Sequence, residues 1–286
     1  MTAENPVLDI DHLRQWIGRE DEAHDIITPR LVLGLRVTLF LEPGAPKTGD
    51  VAPLTTHWCM APATVPMSEI SVDGHPARGG FLPPVPLPRR MWAGGRVEFL
   101  DSLRVGDDVR RISRIADVTL KQGSTGPLCF VTVQHDIHTP RGLAIRDRQD
   151  IVYREAESTK PQGDTAAAPK AEAPAQHSQS YMADPVLLFR YSAITFNGHR
   201  IHYDRPYVMN EEHYPGLVVH GPLQASLLAE FAQRLRGQSL KTFDYRGVRP
   251  LIDGAPFSVN ANAVDGAFDL YTANAQGVAT MKARAT

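Results

Sequence analysis

The densest group of side chains suited to chemistry lies between residues 191 and 204. It contains Asn197, His199 and His202, and the Asn-Gly pair at 197–198 predicts a turn. We expect a strand over the apolar residues 186–189 to lead into this turn and a short helical turn to follow it. The spacing of three between the histidines then places both imidazoles on one face.

The residue types allow three interpretations of this cluster. His199 and His202, together with His213 or His220, would supply nitrogen ligands to a metal, although no cysteine or glutamate completes a zinc pattern. The same side chains would otherwise serve as polar turn residues that satisfy backbone groups. The third interpretation is acid–base catalysis, because histidine titrates near neutral pH and an asparagine amide can hold a water molecule.

Gly221 and Pro222 begin an apolar segment that supports the third interpretation. Leu223, Leu227 and Phe231 fall on one helical stripe, and the segment is apolar nearly all round, which predicts a buried helix. Backbone N–H groups at a helix N-terminus lack partners and favour negative charge. Proline has no N–H, so the Gly221 amide is the candidate donor to an oxyanion such as a thioester enolate.

Composition limits the class of protein. The 286 residues include 30 Lys plus Arg and 32 Asp plus Glu, a formal net charge of −2, which argues against binding of nucleic acid or an acidic membrane through a basic face. The two cysteines make no disulfide framework. Because the N-terminus lacks a basic and apolar signal and the apolar run 31–41 is too short to span a bilayer, we expect a cytoplasmic protein.

The chain divides at residues 156–180, which contain no Val, Ile, Leu, Met, Phe, Tyr or Trp and are predicted to be a flexible linker. Each half, 1–155 and 181–286, begins with a helix signal and ends in strands around a turn, at 139–142 and 274–277. In the first half the signal is Thr28 before Pro29. This order predicts an α+β fold in which an antiparallel sheet wraps a helix, twice.

The segment 43–88 carries 10 of the 23 prolines, which disfavours long helices and central strands there. It also contains apolar side chains that a solvated loop does not need, such as Trp58, Phe81 and Leu82. We interpret it as a lid or a wall of the substrate pocket. The alternative is a structured surface excursion of the first half.

Residues 197–202 resemble the hydratase motif of the MaoC-like, type 2 enoyl-CoA hydratases, which reads Asp-x-Asn-Pro-x-His. Laid on this chain, the catalytic Asp of the family falls on Asn197, the catalytic His on His202 and the oxyanion glycine on Gly221. Asn197 cannot act as a base, so the chain departs from the motif at one catalytic position.

The variant motif, with residues 73–76 and 81–95, is similar to a subgroup of the family. That subgroup contains mitochondrial-type 3-hydroxyacyl-thioester dehydratases and the bacterial mesaconyl-C4-CoA and itaconyl-CoA hydratases. The resemblance covers nearly the whole chain outside the linker. It implies an α+β double hot-dog, with two antiparallel sheets each wrapped around a helix: a degenerate hot-dog with a Pro-rich insertion over 1–155 and a catalytic one over 181–286.

The resemblance implies reversible hydration of an α,β-unsaturated acyl-CoA, with a C5 dicarboxylyl-CoA (itaconyl-CoA or mesaconyl-C4-CoA, giving citramalyl-CoA) as the expected substrate. His202 would move the protons, Asn197 would orient water, and the Gly221 N–H would hold the thioester oxygen. No metal is expected, and no cofactor beyond the CoA of the substrate. Hot-dog sheets often pair edge to edge, which allows a homodimer or pairing of the two halves within one chain.

An arginine guanidinium can bind the distal carboxylate through two parallel hydrogen bonds. Two further arginines, which follow the predicted helix that begins at Gly221, are candidates for binding the CoA phosphates. The predicted substrate-binding residues are Arg89, Arg90, Trp92, Arg200, Arg246 and Arg249. Two alternatives stay open. One is an (R)-3-hydroxyacyl-thioester dehydratase of fatty-acid synthesis, which would prefer a long apolar chain. The other is a non-catalytic acyl-CoA binding module, which the absence of the motif Asp admits.

Overall fold

A computed structural model describes residues 8–123, 126–155 and 170–286. The strands are β1 (Glu20–Ile26), β2 (Arg89–Phe99), β3 (Asp108–Gly123), β4 (Gly126–Thr139), β5 (Gly142–Arg154), β6 (His177–Met182), β7 (Thr242–Gly247), β8 (Pro256–Val264), β9 (Ala267–Ala273) and β10 (Ala279–Ala285). The α-helices are α1 (Ile10–Arg14), α2 (Pro29–Thr38), α3 (Pro185–Ile194), α4 (Arg205–Asn210) and α5 (Gly221–Arg236). Short 3₁₀ helices cover Thr56–Cys59, Met67–Glu69 and Arg200–His202.

All ten strands form one antiparallel sheet in the order β1-β3-β4-β5-β2-β7-β10-β9-β8-β6. The first five belong to the N-terminal half and the last five to the C-terminal half. The halves join where β2 pairs with β7, from Gly94 opposite Arg246 to Glu98 opposite Thr242. The predicted α+β class is correct, and the two predicted sheets are continuous because their edge strands pair within the chain.

Helix α5 is the central element of the C-terminal half. It starts at Gly221 with Pro222 in the first turn, as predicted, and ends before Gly237, whose left-handed backbone closes the helix. Every residue from Leu223 to Ala232 is buried, and the helix packs against β7 to β10. The prediction of a buried helix is therefore confirmed.

The N-terminal half has a shorter helix, α2, than the C-terminal half, and the Pro-rich segment packs on part of its sheet. Thr28 caps α2, with its hydroxyl accepting a hydrogen bond from the Leu31 N–H at 3.1 Å, as the Thr-Pro signal predicted. The Pro-rich segment forms no long helix or strand and places Val85 and Leu87 in a core with Ile115 and other residues of the sheet. This segment therefore replaces part of a central helix as the cover of the sheet.

Two local predictions need correction. Residues 186–189 are not a strand but lie in α3, because Asp184 accepts a hydrogen bond from the Leu187 N–H at 2.8 Å and Pro185 starts the helix. A four-residue apolar run does not distinguish a strand from a buried helix. Residues 177–180, predicted as linker, begin strand β6, which pairs with β8; residues 156–169 lie outside the described part of the chain.

None of the helices within the described ranges is long and apolar enough to cross a membrane.

Candidate active site

A cavity of about 1830 Å³ is lined by residues of both halves. The Pro-rich segment and strands β1 to β5 contribute from the N-terminal half. From the C-terminal half the lining includes most of residues 191–199 and 201–203, and residues within 218–224 and 246–250. The predicted site residues that line it are Arg90, Trp92, Asn197, His202, Gly221, Arg246 and Arg249. The structure therefore brings the predicted catalytic residues together in one space.

His202 is buried and held in one tautomer. Its Nδ1 lies 2.6 Å from the carbonyl oxygen of Val218, so this nitrogen carries the proton and donates it. The other ring nitrogen, Nε2, is left with a lone pair. Burial lowers the pKa of His202 to about 4, which keeps the ring neutral at pH 7. A neutral imidazole with one fixed proton is suited to act as a base.

The His220 ring stacks on the His202 ring, with centroids 3.6 Å apart and planes 18° apart. His220 is fully buried and its Nε2 lies 2.8 Å from the Ser192 hydroxyl. Burial, followed by the charges of His202 and His199, lowers the pKa of His220 well below its ordinary value. Stacked rings do not converge their nitrogens on one point, and His213 is exposed, so the metal set considered from the sequence is not assembled.

Asn197 has one half of its amide engaged. Its Oδ1 accepts a hydrogen bond from the His199 N–H at 3.0 Å, in a tight turn of the chain. The Nδ2 group has no protein partner among the described residues and borders the cavity. Asn197 therefore offers two free donors to a molecule in the cavity, while its oxygen already accepts one hydrogen bond.

The N–H of Gly221 has no protein acceptor within the described ranges, as expected for the first residue of a helix. The indole ring of Trp92 lies directly beside it. Trp92 stacks on Tyr245, with ring centroids 4.4 Å apart, and its Nε1 donates to Gln149 Oε1 at 3.2 Å. Gly221 thus lies at the cavity with the indole of Trp92 as an aromatic wall beside it.

A tight hairpin of the Pro-rich segment enters the same cavity, and sequence reasoning assigned it no chemistry. Residues Ile70 and Pro76 pair across it, and the side chain of Asp73 lies at its tip. Asp73 Oδ2 and His75 Nδ1 are 2.9 Å apart, and the His75 ring lies 4.1 Å from the His199 ring. The His199 ring in turn meets that of His202 edge to face at 5.3 Å.

This hairpin is docked on the hydratase-like motif by backbone contacts. The Arg200 N–H donates to the Asp73 carbonyl at 2.9 Å. A Cβ at Gly198 would lie 2.8 Å from the Gly74 carbonyl oxygen, and one at Gly74 would overlap the Gly198 carbonyl. Glycine at both positions allows the two segments to approach. The sequence signal for the hairpin is the Asp-Gly turn, but nothing local indicates which segment it contacts.

Asp73, His75 and His199 bring three atoms of metal-ligand type within 4.8 Å of one another. Asp73 Oδ2 is already bonded to His75, and Oδ1 accepts from the Ser71 hydroxyl at 2.8 Å and the His75 N–H at 3.0 Å. Because both carboxylate oxygens hold the hairpin together, this group is a hydrogen-bonded pair beside a third imidazole, and we assign no metal to it.

Two predicted substrate-binding residues do not reach the cavity. The Arg200 guanidinium pairs with Asp204 at 2.8 Å, donates to the Val72 carbonyl at 3.1 Å and lies over Tyr207. Arg89 pairs with Glu212. Their donors are occupied by the protein itself, so the prediction that either binds the distal carboxylate is corrected. Arg200 instead anchors the 70–76 hairpin.

Arg90 does line the cavity and has no carboxylate partner among the described residues. Its charge acts to lower the pKa of both His75 and His199, which places it near these imidazoles. Arg246 and Arg249 also line the cavity without an ion-pair partner in the described ranges.

A second buried polar group lies on the N-terminal side of the cavity and was missed from the sequence. Asp147 is fully buried and its Oδ2 accepts hydrogen bonds from Trp58 Nε1 at 2.8 Å and Gln149 Nε2 at 2.7 Å. His57 Nε2 lies 3.4 Å from the same oxygen. Because Gln149 also accepts from Trp92, Asp147 fixes the indole of Trp58 directly and that of Trp92, which stands beside Gly221, through Gln149.

Comparison with known proteins fits this site. The family model of hydroxyacyl-thioester dehydratase type 2 matches residues 55–253. Mesaconyl-C(4)-CoA hydratase of Chloroflexus aurantiacus is 43% identical over 271 residues, which cover 94% of this chain and 95% of that protein. The chain belongs to the hydroxyacyl-thioester dehydratase type 2 family. This membership confirms the predicted subgroup and the predicted enzyme class, a hydro-lyase of acyl thioesters.

Solved structures show how the fold of this family member relates to others. A MaoC-like dehydratase of Phytophthora capsici aligns with a TM-score of 0.70 at 12% identity, over 97% of this chain and 98% of that one. A Mycobacterium tuberculosis protein with a double hotdog fold aligns with a TM-score of 0.52 at 12% identity, over 94% and 95%. The predicted double hot-dog fold is therefore confirmed.

Proposed function

We propose that this protein hydrates a C5 dicarboxylyl-CoA, such as mesaconyl-C4-CoA or itaconyl-CoA, to a citramalyl-CoA. The observation that carries the proposal is the guanidinium of Arg90, which lies in the cavity that holds His202 and has no carboxylate partner among the described residues, its protein contact being the Tyr153 hydroxyl. The relative from Chloroflexus aurantiacus, named for such a substrate, supports it.

The proposed chemistry uses His202 as the group that moves the proton. Its Nε2 lone pair takes a proton from water while the water oxygen bonds to the β-carbon. In mesaconyl-C4-CoA, whose double bond is conjugated with the thioester, the electron pair of the double bond moves to the thioester oxygen, where the Gly221 N–H stabilises the enolate. The imidazolium then gives its proton to the α-carbon, and the Asn197 Nδ2 group orients the water by donating to its oxygen.

The substrate carboxylate has to lie close to this chemistry. In a C4-linked mesaconyl thioester the carboxylate is bonded to the β-carbon, which is the carbon that water attacks. The charge of Arg90 acts on both His75 and His199, whereas that of Arg111 acts on His135. Arg78 also acts on His75, but its guanidinium donates to three backbone carbonyls of the Pro-rich segment. Arg90 is therefore suited to bind this carboxylate through its fork of donors.

Arg246 and Arg249 are proposed to hold the phosphates of CoA. Neither is paired with a carboxylate in the described ranges, and both lie beside the C-terminal strands where the cavity is lined by residues 246–250. Guanidinium groups bind phosphate oxygens as they bind carboxylates.

The test is mass spectrometry of acyl-CoA after incubation with itaconyl-CoA, mesaconyl-C4-CoA or crotonyl-CoA. We expect gain of one water on a C5 dicarboxylyl-CoA, much faster than on crotonyl-CoA. His202→Ala is expected to lose about 10²- to 10⁴-fold in rate, the usual cost of removing a general base. A near-wild-type rate for this variant would exclude the assignment of His202.

Two arginine variants test the recognition of the carboxylate. Arg90→Met should lower kcat/KM for the dicarboxylyl substrate by about 10²-fold and leave that for crotonyl-CoA within a few fold, since one charge-assisted bidentate contact contributes about 3 kcal/mol. Arg111→Met is the matched control, because Arg111 also lines the cavity without a carboxylate partner. Loss of the preference in Arg111→Met but not in Arg90→Met would place the carboxylate at the other side of the cavity.

The size of the cavity favours a second candidate, a dehydratase of longer 3-hydroxyacyl thioesters. Its volume of about 1830 Å³ exceeds the range of about 300–1,000 Å³ common for small-molecule pockets. Faster turnover of long-chain enoyl-CoA than of the C5 substrates would favour this candidate.

A further inference from the structure

We propose that His75, oriented by Asp73, is a second catalytic residue, which accepts a hydrogen bond from the attacking water in place of the carboxylate that the motif lacks at position 197. The inference rests on the proposed role of His202. It concerns a residue of the Pro-rich segment, which the sequence predicted to be a lid or a wall of the substrate pocket.

The need for such a residue follows from the state of Asn197. Water that loses one proton to His202 has a second hydrogen, which requires an acceptor in a buried site. One lone pair of Asn197 Oδ1 is taken by the His199 N–H at 3.0 Å, and the oxygen of a neutral amide is a weaker acceptor than a carboxylate. A carboxylate at this position would have supplied a charged acceptor with free lone pairs.

His75 meets this need because its tautomer is fixed. Although burial acts to raise the pKa of Asp73, the hydrogen bonds that it accepts from the His75 ring, the His75 N–H and the Ser71 hydroxyl hold it well below the ordinary value, so the carboxylate is ionised. An ionised carboxylate 2.9 Å from His75 Nδ1 requires the proton on that nitrogen. Burial lowers the pKa of His75, although the hydrogen bond that the ring donates to Asp73 acts to raise it. The neutral ring therefore keeps a lone pair on Nε2.

The position of His75 is set by the docking of its hairpin. Both His75 and His199 line the cavity, with ring centroids 4.1 Å apart, and the His199 ring meets that of His202. The Asp73 carbonyl accepts from the Arg200 N–H, and the Val72 carbonyl accepts from the Arg200 guanidinium. Asp73 and His75 are therefore held against the segment that carries Asn197 and His202.

One water O–H bond breaks toward His202 Nε2, the oxygen bonds to the β-carbon, and the same proton passes to the α-carbon. His75 Nε2 accepts a hydrogen bond from the other O–H throughout and takes up no proton. Asp73 is a positioning residue, because it acts through His75, and its negative charge also favours the imidazolium that forms at His202.

Asp73→Asn tests the proposal with the smallest change in shape. The asparagine keeps Oδ1 for Ser71 and for the His75 N–H, but its Nδ2 now donates to His75 Nδ1. The ring proton moves to Nε2, and the acceptor becomes a donor. For hydration of the C5 dicarboxylyl-CoA, we expect kcat to fall about 10²-fold or more and KM to change by less than about threefold. NMR of the ¹⁵N-histidine-labelled full chain should show the change of tautomer.

His75→Gln is the second variant and should show a loss of kcat of the same order. His177→Gln is the control, since His177 is exposed on β6, and it should keep the wild-type rate. If Asp73→Asn folds, changes the tautomer and keeps kcat within about threefold, the proposal is wrong. His202→Ala separates the two hypotheses: a fast His202→Ala overturns the proposed function itself, whereas a slow one beside a fast His75→Gln overturns only the role of His75.

Discussion

The indole of Trp92 occupies the space that a side chain at position 221 would need. A Cβ built on Gly221 would lie 2.9 Å from Trp92 Cε3, closer than such carbons approach in proteins. Trp92 cannot move away freely, because it is stacked on Tyr245 and bonded to Gln149. The glycine therefore keeps both the free amide at the start of α5 and the aromatic wall beside it.

Gly221→Ala is expected to force the ring and the helix start apart. We expect the free energy of unfolding to fall by about 1–3 kcal/mol, the usual cost of overpacking, and kcat to fall about 10²-fold as the amide moves. Trp92→Leu in the same chain should relieve the clash and recover part of the stability. Denaturant titration of both single variants and of the double variant measures this coupling. If the losses of unfolding free energy in the two single variants add up to the loss in the double variant, the two residues are not coupled.

Asp147→Ala tests the buried group that holds Trp58 and Gln149. Its removal leaves two buried donors without an acceptor, so we expect the free energy of unfolding to fall by about 3 kcal/mol. Asp136→Ala is the control, because Asp136 is partly exposed and its pair with Arg146 at 3.1 Å lies at the surface, where such pairs contribute about 0–1 kcal/mol. Equal losses in urea titrations of the two variants would show that Asp147 has no special role.

The elements predicted correctly are those with local signals. The Thr28–Pro29 and Gly221–Pro222 pairs marked helix starts because capping and the fixed φ of proline act within one turn. The apolar run 186–189 misled because the competing signal, Asp184 before Pro185, lies just outside it. Arg200 was predicted to bind substrate, although its spacing of four from Asp204 is the spacing that brings two side chains together on a helical turn, and the structure pairs them.

The rest of the site depends on contacts between segments distant in sequence. His75 and His199 are neighbours only because the hairpin 70–76 docks on residues 198–200, and no periodicity or propensity encodes that choice. Asp147 reads as one more charged residue in a β-strand, yet the fold buries it completely beneath Trp58. Sequence reasoning thus found the residues of one motif, and the structure supplied the partners that complete it.

Buried neutral histidines predict how stability depends on pH. Burial lowers the pKa of both His135 and His202 to about 4, whereas an unfolded histidine titrates near 6.5. As the pH falls from about 6.5 toward 4, the unfolded chain takes up protons that the folded chain does not, so the free energy of unfolding decreases, by about 1.4 kcal/mol per pH unit for each such group. Burial raises the pKa of Glu230 to about 7, so the folded chain keeps a proton on this carboxyl that the unfolded chain releases. This one group makes the free energy of unfolding increase as the pH falls from about 7, and it cancels part of the effect of the histidines.

His135→Gln isolates one of these groups outside the proposed catalytic residues. Its ring nitrogen lies 2.8 Å from the Ser113 hydroxyl, and the glutamine amide does not titrate. We expect the slope of unfolding free energy against pH, measured by urea titration between pH 5 and 6.5, to flatten by about 1.4 kcal/mol per pH unit. His177→Gln, at an exposed position, should leave the slope unchanged. An unaltered slope in His135→Gln would mean that His135 protonates as readily in the folded protein as in the unfolded chain.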